Sequence, residues 1–149
     1  MGVIWIHMYY FAYGSNMVFE QMRRLCGHGF TIYGPAKLVG YEFGLDKRGY
    51  FNVRPRQGAH VYGVLYEVTT VALAALDEFE GHPGVFARHY ATAETDDGEQ
   101  YEVAVYMETA EQFGGSEARP EFLKRVLAAA MECHLPQQWI KKIRSFEHV

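Results

Sequence analysis

Cysteine is scarce in this chain, and the two that occur, Cys26 and Cys133, lie far apart in segments that both read as helical. They form no zinc-type or redox pair spacing, so reduced, structural thiols are expected. Positive charge is also short: 14 Lys and Arg against 18 Asp and Glu leave a net charge of -4. That balance gives no electrostatic footprint for nucleic acid, which basic proteins read through clustered Lys and Arg. No apolar run is long enough to span a membrane, and Met1 to Met8 lacks the basic flank and small-residue cleavage site of a secretion signal. A cytoplasmic protein without membrane or nucleic-acid partners is expected.

Other absences narrow the chemistry. The seven histidines are scattered, with neither an H-x-H nor an H-E-x-x-H spacing, so no metal site is expected. There is no G-x-G-x-x-G run, no P-loop Lys-Ser or Lys-Thr pair and no G-x-S-x-G elbow. Phosphate cradling and serine-triad catalysis are thereby disfavoured. What the chain does have is aromatic residues, at 15% of a 149-residue sequence. The length suits one domain over residues 1–149, and the aromatic share points to an aromatic-lined cavity. Because Met8 directly precedes the first clear strand, residues 1–7 read as an extension outside the core.

The hydrophobic pattern reads as an α+β chain. Met8 to Ala12 is a strand, Tyr13-Gly14-Ser15-Asn16 a tight loop, and Met17 to Cys26 a helix stopped by Gly27 and Gly29. Thr31 to Asp46 is rich in β-formers interrupted by Gly34-Pro35, Gly40 and Gly44, which suits strongly bent strands. A strand pair follows at Tyr50 to Arg54 and His60 to Val68. Thr69 to Glu80 changes to helical period, with Thr70 as N-cap, an apolar face at Val71, Ala74, Ala75 and Leu76, and Gly81 as the stop. Arg88 to Glu94 and Tyr101 to Met107 form a hairpin around Asp97-Gly98. Pro120 opens a helix carrying Phe122, Val126, Leu127 and Ala130, and Pro136 starts a last one with Trp139, Ile140 and Ile143 inward. So few helices, irregularly placed, exclude a doubly wound sheet and favour a compact mixed or antiparallel barrel flanked by helices.

Two places can carry chemistry. A glycine-containing turn at a helix start presents backbone N–H groups to an anion, although an ordinary capped turn explains Tyr13 to Asn16 equally well. Asp77, Glu78 and Glu80 cluster at a helix C-terminus, where the dipole and burial raise a carboxyl pKa toward a general base. Solvated surface charges are the plain alternative. Lys47 to Val53 superficially resembles an RNA-recognition strand, but Phe51 and Asn52 stand where a small residue and a stacking aromatic belong. The segment 111–119, with Gly114 and Gly115, precedes the Phe122 helix and is a candidate lid.

Tyr10-Phe11-Ala12-Tyr13-Gly14-Ser15-Asn16-Met17 resembles the N-terminal signature of the γ-glutamyl cyclotransferase-like family. His60 to Val68, Leu76 to Gly81 and Ala129 to Pro136 resemble its central strand, catalytic segment and C-terminal helix, in order. The resemblance implies a β-barrel flanked by helices and an enzyme that cyclises a small γ-glutamyl substrate, releasing 5-oxoproline and an amine or amino acid without any cofactor. It implies Glu80 as the proton-transfer residue, and substrate contacts from Tyr10, Phe11, Ala12, Tyr13, Gly14, Ser15, Asn16, Tyr106 and Phe122. Phe122 stands where relatives acting on γ-glutamyl amino acids often carry tyrosine, and Phe86 near another pocket tyrosine, which points to a less polar leaving group. A relative that binds a small ligand without this chemistry is the alternative.

Overall fold

The computed structural model describes residues 8–147, so the expectation for residues 1–7 lies outside the described residues. Among the described residues six strands and four α-helices follow in the order β1 (Met8–Ala12), α1 (Phe19–Cys26), β2 (Phe30–Asp46), β3 (Phe51–Val68), α2 (Thr70–Glu80), β4 (Ala87–Thr95), β5 (Gln100–Met107), β6 (Phe113–Gly115), α3 (Pro120–Glu132) and α4 (Gln137–Arg144). The strand order β3-β1-β5-β4-β2 closes because β2 pairs back onto β3, and β6 extends the end of β2. Only the β1–β5 pair is parallel. The result is a closed five-stranded mixed barrel with helices around it.

Two long strands supply most of the wall. The stretches read from sequence as separate bent strands are continuous, at 17 residues for β2 and 18 for β3. Their ladder shifts register between Ile32 and Gly34 and again between Val39 and Tyr41. Bulges bend a strand sharply while pairing resumes on either side, so the glycines mark bends within one strand. The hairpin at Asp97-Gly98 forms as expected, pairing Ala87 to Glu94 with Gln100 to Met107.

Two helix details differ from the sequence reading. Thr69, one residue earlier than expected, caps α2 by accepting the Ala72 N–H. Its buried face is Ala72, Leu73 and Leu76, whereas Val71 is exposed. Every position from 71 to 76 is apolar, so periodicity alone could not choose the face. Likewise the helix after β1 begins at Phe19, and Ser15–Met17 forms a separate 3-10 turn.

On the barrel strands, Phe11, Leu38, Val53, Val61, Val64 and Leu65 are fully buried, under the helices or within the barrel. Gly63 is a point of close approach, because a Cβ there would lie 2.3 Å from the Ala12 carbonyl oxygen and 2.7 Å from the Phe11 ring. Strands β1 and β3 can pair at this spot only if residue 63 has no side chain. Gly63→Ala is therefore expected to destabilise the fold by about 1–3 kcal/mol through overpacking, read as a lower urea midpoint at constant slope. A change within experimental error would refute this packing constraint.

Candidate active site

A cavity of about 740 Å³ opens at the end of β1 and is lined by residues from β1, the 3-10 turn, the β2–β3 turn, α2 and the start of α3. Its polar groups fall into a buried inner set, Tyr10, Tyr13, Asn16 and Tyr106, and an exposed set near α3, including Arg119 and Arg125. Glu80 lines the same cavity. It is the last residue of α2, and Gly81 terminates the helix in the left-handed conformation at φ 72°. That stop turns the chain away and leaves the Glu80 carboxyl against the inner set.

Burial pushes the Glu80 carboxyl up to about 7, from an ordinary value of 4.5. An ionised carboxylate loses hydration on entering such a site, so protonation is favoured. One side chain is oriented toward it: the Asn16 amide nitrogen lies 3.3 Å from Glu80 Oε1 and donates also to Tyr10 Oη at 2.9 Å. The amide is fixed from behind, since Asn16 Oδ1 accepts from Gln21 Nε2 at 2.8 Å, and Gln21 Oε1 accepts from Arg125 at 2.7 Å. Gln21 also donates to Ser15 Oγ at 3.0 Å, and Tyr66 Oη holds the Asn16 carbonyl at 2.8 Å. With its oxygen occupied, Asn16 can present only N–H groups to Tyr10 and Glu80.

The tyrosines act as walls. Tyr13 Oη donates to the Tyr106 carbonyl at 2.5 Å, and Tyr106 Oη donates to Asp77 Oδ1 at 2.6 Å. Asp77 is in turn held by Arg88 at 2.6 Å. Burial, followed by the nearby Glu80 charge, holds Tyr10 and Tyr13 well above the ordinary phenol range, so both stay neutral.

Of the residues singled out from sequence, Tyr10, Phe11, Tyr13, Gly14, Ser15 and Asn16 line the cavity with Glu80, Tyr106 and Phe122; Phe86 joins them. Ala12 is buried in β1 and does not line it. The expected anion cradle at a helix start takes a different form, because a three-residue 3-10 turn follows Gly14 and the α-helix begins only at Phe19. What remains is the turn's leading N–H groups, which have no partner within the turn itself. The segment considered as a lid is pinned through β6, where Phe113 pairs with Asp46 and Gly115 with Leu45; of residues 111–119 only Arg119 reaches the cavity. The strand resembling an RNA reader is closed to nucleic acid, since Phe51, Asn52 and Val53 are buried.

Sequence reasoning missed Gln21, Arg48, Tyr50 and Arg125, which line the cavity from three separate elements. Gln21 stands five residues after Asn16 across the join of two helical pieces, where no spacing rule applies. Among the described residues no cluster of His, Cys, Asp and Glu is arranged to hold a metal ion, and no helix is long and apolar enough to cross a membrane.

The comparisons with known proteins agree with this geometry. Residues 10–122 match the family model described as gamma-glutamyl cyclotransferase, AIG2-like. The chain belongs to that family. A gamma-glutamylcyclotransferase of Bos taurus is 27% identical over 149 residues, covering 93% of this chain and 78% of that protein. One from Methanocaldococcus jannaschii is 29% identical over 99 residues, covering 65% of this chain; the chain spans 44% of that protein's length. A solved structure of a gamma-glutamyl cyclotransferase superposes with a TM-score of 0.86, covering 97% of this chain and 90% of that one at 21% identity, a likeness of fold.

The raised Glu80 pKa carries a stability consequence. Between 4.5 and about 7 the folded chain keeps a proton that the unfolded chain has released. Stability contributed by this group is therefore full at low pH and falls as pH rises through that window, by up to about 3 kcal/mol. Glu80→Gln should remove this slope. Its unfolding free energy relative to wild type, measured in urea at pH 5 and pH 8, is expected to improve at the higher pH; equal differences at both would contradict a buried Glu80.

Proposed function

We propose that this chain cleaves γ-glutamyl amides by internal cyclisation, releasing 5-oxoproline and the amine that was attached. The observation that carries this reading is Glu80, a buried carboxyl held near neutral pKa in a cavity whose inner end offers oriented donors. A group of this kind can take and return a proton at physiological pH, which a surface carboxylate does poorly. Family membership supplies the reaction class.

The chemistry needs little more. Ionised Glu80 takes a proton from the substrate's α-ammonium, and the freed amine attacks the γ-carbonyl carbon, closing a five-membered ring. The carbonyl oxygen becomes an oxyanion, which the leading backbone N–H groups of the turn after Gly14 can meet as donors. As the bond from carbon to the leaving nitrogen breaks, Glu80 gives its proton to that nitrogen. Attack leaves a second proton on the ring nitrogen; Glu80, ionised again, takes it and passes it to the released amine, which departs as an ammonium, so atoms and protons balance with one carboxyl. Because attack is intramolecular, the cavity's main task is to hold the substrate curled for ring closure; the tyrosine walls suit that task by excluding water.

Mass spectrometry of reactions containing γ-glutamyl amino acids, γ-glutamyl amines and acylated amines tests the reading. Wild-type protein is expected to release 5-oxoproline from at least one γ-glutamyl compound, and Glu80→Gln to lower that rate by roughly 10²–10⁴-fold. Folded protein that releases none from the whole panel, while ligands bind unchanged, would make it a binding relative.

A further inference from the structure

We propose that Arg48, anchored by the buried carboxyls of Asp46 and Glu108, is the specificity residue that binds an acidic group on the part of the substrate beyond the scissile amide. This rests on the cyclotransferase reading of the same cavity. The substrate class it selects is a γ-glutamyl conjugate of an apolar or aryl amine that also carries a carboxylate or similar anion.

The anchor is built into the turn between β2 and β3. Asp46 Oδ1 accepts the N–H of Arg48 at 2.8 Å and of Tyr50 at 2.9 Å, which folds the turn around its own carboxylate. Arg48 Nη2 then reaches Glu108 Oε1 at 2.6 Å and Asp46 Oδ2 at 3.3 Å. The two carboxyl side chains are 5% and 0% exposed, but the guanidinium they hold is 44% exposed and lines the cavity. Both contacts use the same nitrogen. A guanidinium has five N–H groups in a fixed fork, so the Nε and Nη1 donors are not consumed by these carboxyls.

The surroundings select what can meet that fork. Its central carbon sits 5.5 Å from the Tyr50 ring centre and 5.8 Å from that of Phe86, and Tyr50 packs edge-on against Phe122 at 5.0 Å. An apolar body beside an anionic tip fits this box. The field has the matching sign: Arg119 and Arg125 line the same exposed end and donate to neutral partners, the Arg48 carbonyl and the Gln21 amide, leaving their charge uncancelled by those bonds. Glu121 is the carboxylate among these exposed lining residues. With the glutamyl portion at the buried Asn16 and Glu80 end, the group across the amide points toward the arginines. The apolar leaving group expected from Phe122 is thereby given an acidic end.

Glu108 makes the anchor adjustable. Its Oε2 is buried without a hydrogen-bond partner, and the Asp46 carboxyl lies beside it. Burial first, then the neighbouring Asp46 carboxyl, raises the Glu108 carboxyl above its ordinary range. Asp46, despite its burial, is held below the usual carboxylate range by Glu108 and by the turn N–H groups. Tyr13, the further titratable group facing this pair, stays neutral. Protonated Glu108 leaves one carboxylate against Arg48; ionised Glu108 leaves two competing with a substrate anion.

The test uses Glu80→Gln protein, which holds substrate uncleaved and removes the other carboxyl with a raised pKa. Calorimetric Kd values are compared for γ-glutamyl-4-nitroanilide and its 3-carboxy derivative at pH 6 and pH 8.5. At pH 6 the carboxylated probe is expected to bind about tenfold tighter, and this preference should shrink at pH 8.5. Adding Arg48→Met should bring the two probes within about twofold of each other. Adding Glu108→Gln, a milder change, should keep the preference at both pH values. No preference in the Glu80→Gln protein, preference surviving Arg48→Met, or pH dependence surviving Glu108→Gln would each overturn the proposal. Nitroaniline release by wild-type protein reports separately on the cyclotransferase reading: turnover without preference sinks only the role of Arg48, and preference without turnover sinks only the reaction.

Discussion

Burying a carboxyl group beside aromatic rings is costly for its ionised form, and the arrangement around Glu80 follows from that cost. In water the group would be fully charged at neutral pH; here the loss of hydration brings its two protonation states close in energy at about pH 7. The site compensates only in part. Asn16 offers one amide donor at 3.3 Å, with no cation in contact among the described residues, so the carboxylate is tolerated without being locked in. A salt bridge would have lowered the pKa and made Glu80 a poor proton carrier. The chain of side chains from Arg125 through Gln21 to Asn16 fixes the direction of that one donor.

Two kinds of carboxyl environment occur around the cavity, one of each at α2 and one of each beside Arg48. Asp77 and Asp46 are paired with arginines and serve as fixed negative points, one orienting the Tyr106 hydroxyl and the other folding the β2–β3 turn. Glu80 and Glu108 are left incompletely satisfied and have raised pKa values. Carboxyls of one type hold geometry and those of the other move protons or tune charge. The number of donors that reach each carboxyl decides which is which: Asp46 accepts from Arg48 and two turn N–H groups and Asp77 from Arg88 and Tyr106, whereas among the described residues Glu108 meets Arg48 alone and Glu80 one amide.

That division explains what could be read without a structure. The strand Met8 to Ala12 and the Asp97-Gly98 hairpin depend on local rules, and both appear where expected. Glu80 was legible as a carboxyl at a helix stop because Gly81 marks the end of α2. The continuity of β2 and β3 was hidden, since a glycine at a bulge and a glycine at a turn look alike in sequence. The buried face of α2 was hidden for a different reason: a run of six apolar residues carries no phase. Least legible were Gln21, Arg48 and Glu108, whose importance lies in contacts across as many as 104 positions of sequence. No window of neighbouring residues contains that information; barrel closure creates it.

The central claim, that burial in this cavity gives Glu80 the proton affinity its role requires, is tested most directly by carboxyl carbon NMR. Titration of carbon-13 labelled protein, with the Glu80 signal assigned by its loss in Glu80→Gln, should show a midpoint near 7. The wild-type rate of amide cleavage should rise through the same pH. A midpoint near the ordinary carboxyl value of 4.5 would contradict the claim, because Glu80 would then be a solvated carboxylate at the end of a helix.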